Sequence, residues 1–244
     1  MLEQFHRLST ASLGLKVYDW IESIQFCLLP PRCLLCGGPG QPRLDLCAAC
    51  QSELPWLGHV CPRCALPLPA AAPACGACLR RPPPFERAAA LWHYRPPVDR
   101  WVAAAKYRGH RPLLRLFGEC LARHLTDVPR PDCLLPVPLH PRRLRQRGFN
   151  QSLEVARVVS QRLGIPLRAG LCRRTRFTPP QQGLDARDRQ RNLRGAFAAD
   201  PAVRGHHVGL IDDVMTTGAT VGEIALTLKR AGVTEVSVWV VARA

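Results

Sequence analysis

Two adjacent acids, Asp212 and Asp213, stand just before a run of small residues, Thr216, Thr217, Gly218, Ala219 and Thr220. Paired carboxylates accept hydrogen bonds from two vicinal hydroxyls of a sugar. A loop of this composition offers backbone N–H groups and three hydroxyl donors to an anion, and Gly218 lets the main chain come close to it. The apolar residues 208–211 read as a short buried strand that ends where the acids begin. After the loop, Val221, Ile224, Ala225 and Leu228 share one helical face. Strand, acid pair, small-residue loop and helix N-terminus, in that order, form a layout for holding a phosphorylated sugar. An acid pair alone would be a solvated turn; the flanking elements set this one apart.

A second chemistry is written in cysteine. Cys33 and Cys36, Cys47 and Cys50, Cys61 and Cys64, and Cys75 and Cys78 form four Cys-x-x-Cys knuckles. The last four cysteines repeat the first four at a constant offset of 28 residues. A repeated unit with four thiolates predicts one closed tetrahedral zinc site per unit, Cys33/Cys36/Cys47/Cys50 and Cys61/Cys64/Cys75/Cys78. The alternative is a cross-braced pairing of first knuckle with third. Each zinc would replace a core that so short a segment cannot build. With every position filled by cysteine, the metal has no open site for hydrolysis. The ribbons are then structural, or they present Arg32, Arg43, Arg63, Arg80 and Arg81 to a partner. Cys27, Cys120, Cys133 and Cys172 lie outside the array and read as small core residues.

Residues 208–220 resemble the 5-phosphoribosyl-1-pyrophosphate (PRPP) motif of type I phosphoribosyltransferases at every position of its pattern. The resemblance implies the fold of those proteins: α/β, with a central, mainly parallel sheet flanked by helices, preceded here by a small double zinc-ribbon domain. It implies PRPP contacts from Asp212, Asp213, Val214, Met215, Thr216, Thr217, Gly218, Ala219 and Thr220, with Asp212 and Asp213 in the catalytic role. It also implies Mg2+ bridging the pyrophosphate and the ribose hydroxyls. In these proteins the loop after the first sheet strand grips pyrophosphate, and by chain order residues 138–143 match it. Residues 173–194 are polar, basic and glycine-punctuated; they match a lid that closes over PRPP, or else form a long solvated excursion.

Two basic segments are the candidate pyrophosphate or nucleic-acid contacts: Lys106 and Arg108, then His140, Arg142, Arg143, Arg145, Arg147 and Asn150. Four arginines before Gly148 suit a polyphosphate through forked, charge-assisted bonds. Lys106 and Arg108, at a helix end, serve the helix dipole or face the pyrophosphate. Residues 147–151 resemble a hallmark of the ComF (competence, or GntX-like) family. The ribbons, residues 106–109 and the PRPP motif follow that family's order from Cys33 onward. The resemblance implies uptake or use of single-stranded DNA, with DNA-uptake machinery as a partner.

Elements must place these groups. Apolar spacing at Leu13, Val17, Trp20, Ile21 and Ile24 predicts a helix within residues 1–30, packed on the body rather than anchored in a membrane. The double ribbon is expected over 31–81. Pro82, Pro83 and Pro84 mark the boundary before a phosphoribosyltransferase-like domain over 85–244. There the patterning predicts strands over 88–94, 132–139, 163–167 and 235–241, the last with Val236, Val238 and Val240 alternating. Helices are predicted over 98–107 and 112–125. Another is capped by Asn150 or Ser152 and ended by Gly164.

Net charge is +16, from 34 Lys+Arg against 18 Asp+Glu, and only three residues are lysine. Such an arginine excess reflects compositional bias with solvated faces, or a phosphate-bearing partner. No run approaches a membrane span, and no basic-then-apolar leader opens the chain, so it is expected in the cytoplasm with its thiols reduced. Walker, dinucleotide-binding, serine-triad and HExxH patterns do not occur. Two functions stand: a phosphoribosyltransferase of unread acceptor, or a non-catalytic DNA-handling accessory that holds PRPP only as a ligand.

Overall fold

The structure is a computed structural model in which residues 30–177 and 191–244 are described. The expected N-terminal helix, Cys27 and the 178–190 portion of the expected lid lie outside the described residues. The chain divides into two compact units, Met1–Glu53 and Leu54–Ala244.

In the smaller unit, the knuckle bearing Cys33 and Cys36 is closed by Gly37 N donating to Cys33 O at 2.8 Å. Gly37 takes a left-handed φ of 76°. Helix α1 (Ala48–Ser52) starts from Cys47, whose sulfur accepts from Cys50 N.

The larger unit opens with the second ribbon. Ala65 N donates to Cys61 O at 2.8 Å, and helix α2 (Gly76–Arg80) follows Cys75. Ala65 occupies the repeat position of Gly37 and keeps the left-handed turn, with φ 53°. Its methyl is buried in the hydrophobic cluster that also holds Phe85, Ala88 and Met215. This contact explains why a non-glycine residue stands in that strained region.

A four-stranded sheet follows, formed by β1 (Arg87–His93), β2 (Cys133–Pro136), β5 (His207–Met215) and β6 (Glu235–Arg243). The strand order is β1-β6-β5-β2, and every pair is parallel. β3 (Cys172–Arg174) and β4 (Phe197–Ala199) form a separate antiparallel pair. The helices are α3 (Val98–Arg108), α4 (Arg111–His124), α5 (Pro141–Arg147), α6 (Gln151–Leu163) and α7 (Ala219–Arg230). The expected α/β architecture with a parallel sheet is therefore what the chain forms.

β6 is buried at nearly every position, as a central parallel strand must be, so its alternating valines mark only one of two covered faces. The inward residues expected of α4, namely Leu113, Leu116, Phe117, Cys120, Leu121 and Leu125, are all buried. Asn150 caps α6, and Gly164 ends it with φ 63°. Burial pushes the thiols of Cys120 and Cys172 up to about 12, consistent with inert core residues.

Four expectations are corrected. β5 does not stop before the acids but runs through both to Met215. The strand expected over 132–139 is only Cys133–Pro136. Residues 163–167 do not form a full strand: α6 continues to Leu163, and the segment meets the sheet only as a parallel bridge of Leu167 to Leu134. Pro166, lacking an N–H, offers only its carbonyl to Leu134 N at 2.8 Å. Finally, the arginine run is a helix, begun by Pro141 after the His140 cap and closed by left-handed Gly148. Among the described residues no helix is long and apolar enough to cross a membrane.

Candidate functional site

A cavity of about 690 Å3 lies beyond the carboxyl ends of β2 and β5, where parallel α/β sheets hold their ligands. Asp212, Asp213, Val214, Thr216 and Thr220 of the motif line it, together with Lys106, Arg143 and Arg147 of the basic segments. The order of elements explains the convergence. β5 delivers the acids, α7 starts at Ala219 behind left-handed Gly218, α3 brings Lys106 in its last turn, and α5 brings the arginines.

Asp212 is buried and accepts from Ser152 Oγ at 2.9 Å and from Asp213 N at 2.9 Å. Burial first, then the Asp213 carboxylate, raise its carboxyl to about 7, against the opposing pull of Lys106 and Ser152. Asp213 Oδ1 accepts from Val214 N at 2.8 Å, and its Oδ2 lies 3.0 Å from Lys106 Nζ. For Lys106, burial alone would lower the pKa, but Asp213 and then Asp212 outweigh it and the net shift is upward. The predicted dipole-or-pyrophosphate lysine is thus ion-paired to the acid motif, a long-range contact that its helix-end position did not suggest.

Other predicted residues are placed elsewhere. Met215, Thr217, Gly218 and Ala219 line a second cavity of about 500 Å3, whose walls include Cys64, Cys75 and Cys78. Thr217 Oγ1 accepts from Ala219 N at 3.3 Å. Arg108 and Arg145 are exposed. His140 caps α5 through Nδ1, which accepts from Arg142 N at 3.1 Å, and its ring meets Phe177 edge-on at 5.3 Å. Arg142 stacks over the same Phe177 ring at 4.8 Å. Asn150 spends its amide on structure: Oδ1 takes Ser152 N, and Nδ2 donates to Val137 O at 3.0 Å.

Three residues of the site were missed, and a fourth, Arg174, stood within the expected lid over 173–194. Arg174 on β3 is buried at the cavity, and burial, then Arg143, lower its pKa to about 10. Ser152 holds Asp212, and Gln151 lines the cavity and accepts from Arg147 Nη1 at 2.6 Å. Arg243 Nη1 donates to Met215 O at 3.1 Å and to Thr216 O, holding the loop from behind. Ser152 was read only as a candidate helix cap and Gln151 only as the end of the 147–151 segment; Arg243 had no signal.

The cysteines assemble in tandem, as expected, and not cross-braced. In each set, Cys33/Cys36/Cys47/Cys50 and Cys61/Cys64/Cys75/Cys78, the sulfurs lie within 4.8 Å of one another. Cys36 and Cys47 sulfurs are 3.9 Å apart, and Cys64 and Cys75 sulfurs 3.7 Å. A tetrahedron with metal–sulfur bonds of about 2.3 Å has edges of about 3.8 Å, so both sets fit zinc. Burial opposes ionisation of Cys33, but the amides of Cys47, Cys36 and Leu35 bring its thiol down to about 6. Cys61 falls likewise to about 7, against burial, through the amides of Cys75, Cys64 and Arg63. Cys50 and Cys78 are pushed up, Cys50 chiefly by Cys47 and Cys78 by burial and then Cys64. Four thiolates cannot coexist so closely without a cation, which is what a structural zinc supplies.

Fold and site together define an α/β protein with a parallel sheet, an acid-and-threonine loop at its carboxyl edge, and two ribbons of four cysteines each. The double zinc ribbon domain family matches residues 24–79. The DNA utilization protein YhgH of Salmonella typhi is 36% identical over 222 residues, covering 88% of this chain and 98% of that protein. Competence protein F of Haemophilus influenzae is 32% identical over 226 residues, covering 87% and 97%. Among solved structures, the glutamine PRPP amidotransferase from B. subtilis is 24% identical over 51% of this chain and 25% of that one, with a TM-score of 0.36. On the two full-length relatives, the chain belongs to the ComF family of DNA utilization and competence proteins.

Proposed function

We propose that this chain is a cytoplasmic PRPP-binding, phosphoribosyltransferase-like protein that serves the uptake or use of single-stranded DNA. The observation that carries the reading is the meeting of Asp212, Asp213, Thr216 and Thr220 with Lys106, Arg143, Arg147 and Arg174 around one cavity. Relatives named for DNA utilization and competence support the DNA role.

In this reading, the loop amides and the hydroxyls of Thr216, Thr217 and Thr220 hold the 5-phosphate at the start of α7. Asp212 and Asp213 accept hydrogen bonds from the ribose hydroxyls and orient the ring. Ser152 fixes Asp212 in place. On binding, Lys106 turns from Asp213 towards the pyrophosphate, where Arg143, Arg147 and Arg174 neutralise the leaving charge. Buried carboxylates facing a polyphosphate suit a hard divalent cation, and Mg2+ would supply Lewis-acid neutralisation of the pyrophosphate. In transfer, the bond from the anomeric carbon to pyrophosphate oxygen breaks as a ring nitrogen of the acceptor bonds to that carbon. The electron pair leaves with pyrophosphate. The acceptor attacks through a ring-nitrogen lone pair, and its surplus N–H proton passes to the departing pyrophosphate or to solvent, so no base from the protein is needed.

The test is to incubate the purified chain with PRPP, Mg2+ and a panel of nucleobases and measure pyrophosphate release. Base-dependent release supports transfer. A PRPP-dependent rise in melting temperature without release supports the ligand-only role, and the absence of both effects refutes the proposal.

A further inference from the structure

Arg243, near the end of β6, is a buried cation whose bonds reach two places far apart in sequence. Its Nη1 donates to the carbonyls of Met215, at 3.1 Å, and Thr216, the residues that lead into the phosphate loop. Its Nε donates to the carbonyl of Cys64, at 3.1 Å, a predicted ligand of the second zinc. The backbone around it is fixed by Tyr94 N donating to Arg243 O at 2.9 Å and Ala244 N donating to Met215 O at 3.0 Å.

Two further observations bear on what this bridge does. Thr217, Gly218 and Ala219 border a cavity of about 500 Å3 on the ribbon's side, so packed side chains do not fill the space behind the loop. The knuckle that presents the Cys64 carbonyl is itself docked on the sheet. Ala65 is buried in the main hydrophobic cluster, and Ala88 N donates to Pro62 O at 3.1 Å. The guanidinium is thus a planar strut across a gap, from a knuckle shaped by metal to a loop shaped for phosphate.

We propose that Arg243 is a positioning residue through which metal in the second ribbon orders the phosphate loop and thereby sets its affinity for phosphorylated ligands. The order of the loop is independent of any ligand; the affinity for PRPP rests on the function proposed above. Loss of metal frees the Cys64 carbonyl, the strut loses one anchor, and the loop amides no longer converge. A lysine at this position keeps the charge but cannot donate to both anchors at once.

The experiment compares the full chain with Arg243→Lys and with Cys78→Ser, following amide hydrogen exchange and PRPP titration in Mg2+. In both variants, exchange at residues 216–219 should rise, while residues 236–241 of β6 stay protected, which separates a loosened loop from an unfolded chain. PRPP affinity should fall about tenfold, the worth of one charge-assisted hydrogen bond. Unchanged loop exchange in either variant would overturn the strut, as would faster exchange with undiminished PRPP affinity. If the unsubstituted chain takes up no PRPP while loop exchange still responds to both variants, the strut stands and the PRPP reading falls.

Discussion

Replacing Lys106 by methionine removes one charge from the acid motif while keeping the side chain's length. Lys106 Nζ lies 3.0 Å from Asp213 Oδ2, with the two side chains 25% and 6% exposed. At that distance, with an effective dielectric of about 20, the attraction is about 5 kcal/mol before desolvation is counted. Removing one partner of a buried pair costs about 3–5 kcal/mol, because the other charge stays buried without compensation. The lysine's partial exposure trims this to about 2–3 kcal/mol for K106M at about pH 8.

Asp212 makes that cost depend on pH. Its folded carboxyl titrates at about 7, raised by burial and then by Asp213, against 3.8 as the ordinary value. Between those values the folded chain binds a proton that the unfolded chain does not. The resulting stability is fully present below the lower value and lost as pH rises through the upper one. Near pH 5.5, therefore, Asp212 is neutral and Lys106 has one carboxylate fewer to offset. The penalty of K106M should shrink there by about 1 kcal/mol or more. Urea unfolding followed by tryptophan fluorescence at the two pH values reads both quantities. Equal penalties at the two pH values, or no penalty at about pH 8, would refute the reasoning.

Further outcomes follow from the same geometry. Gly118 on α4 has no room for a side chain: an added Cβ would lie 2.5 Å from Val158 Cβ and 2.8 Å from its Cγ1. Gly118→Ala should lower the melting temperature, because over-packing costs about 1–3 kcal/mol against a helix gain of at most about 1; a rise would contradict this. Metal analysis should find two zincs per chain, with one lost in Cys47→Ser and one in Cys61→Ser. Binding to single-stranded DNA should weaken steeply with salt. Neutralising Arg142, Arg143, Arg145 and Arg147 together should flatten that slope, and salt-insensitive binding would remove the nucleic-acid role.

Much of the fold was legible where its cause is local. Repeated cysteines at one offset favoured tandem ribbons over a cross-braced pairing, and Asn150 or Ser152 with Gly164 marked the ends of α6. The acid-threonine run identified the loop because strand, loop and helix signals fall within about a dozen residues. What could not be read depends on contacts between distant segments. Lys106 meets Asp213 only because α3 ends over the carboxyl edge of β5, and Ser152 meets Asp212 across 60 residues. Arg174, on a three-residue strand, was legible only as one of several arginines in the basic lid-like stretch, and Arg243, on a valine-rich strand, sits in no pattern that distinguishes it from a surface arginine. The helix over the arginine run had readable signals, Pro141 after His140 and Gly148 at its end. The match by chain order to a pyrophosphate loop over 138–143 led to reading it as a loop instead.

Isothermal titration of the full chain with PRPP in excess Mg2+ tests the central claim most directly. The account predicts saturable binding at one site per chain, lost when Asp212 and Asp213 are both replaced by asparagine. Absence of binding by the unsubstituted, folded, zinc-loaded chain would contradict it.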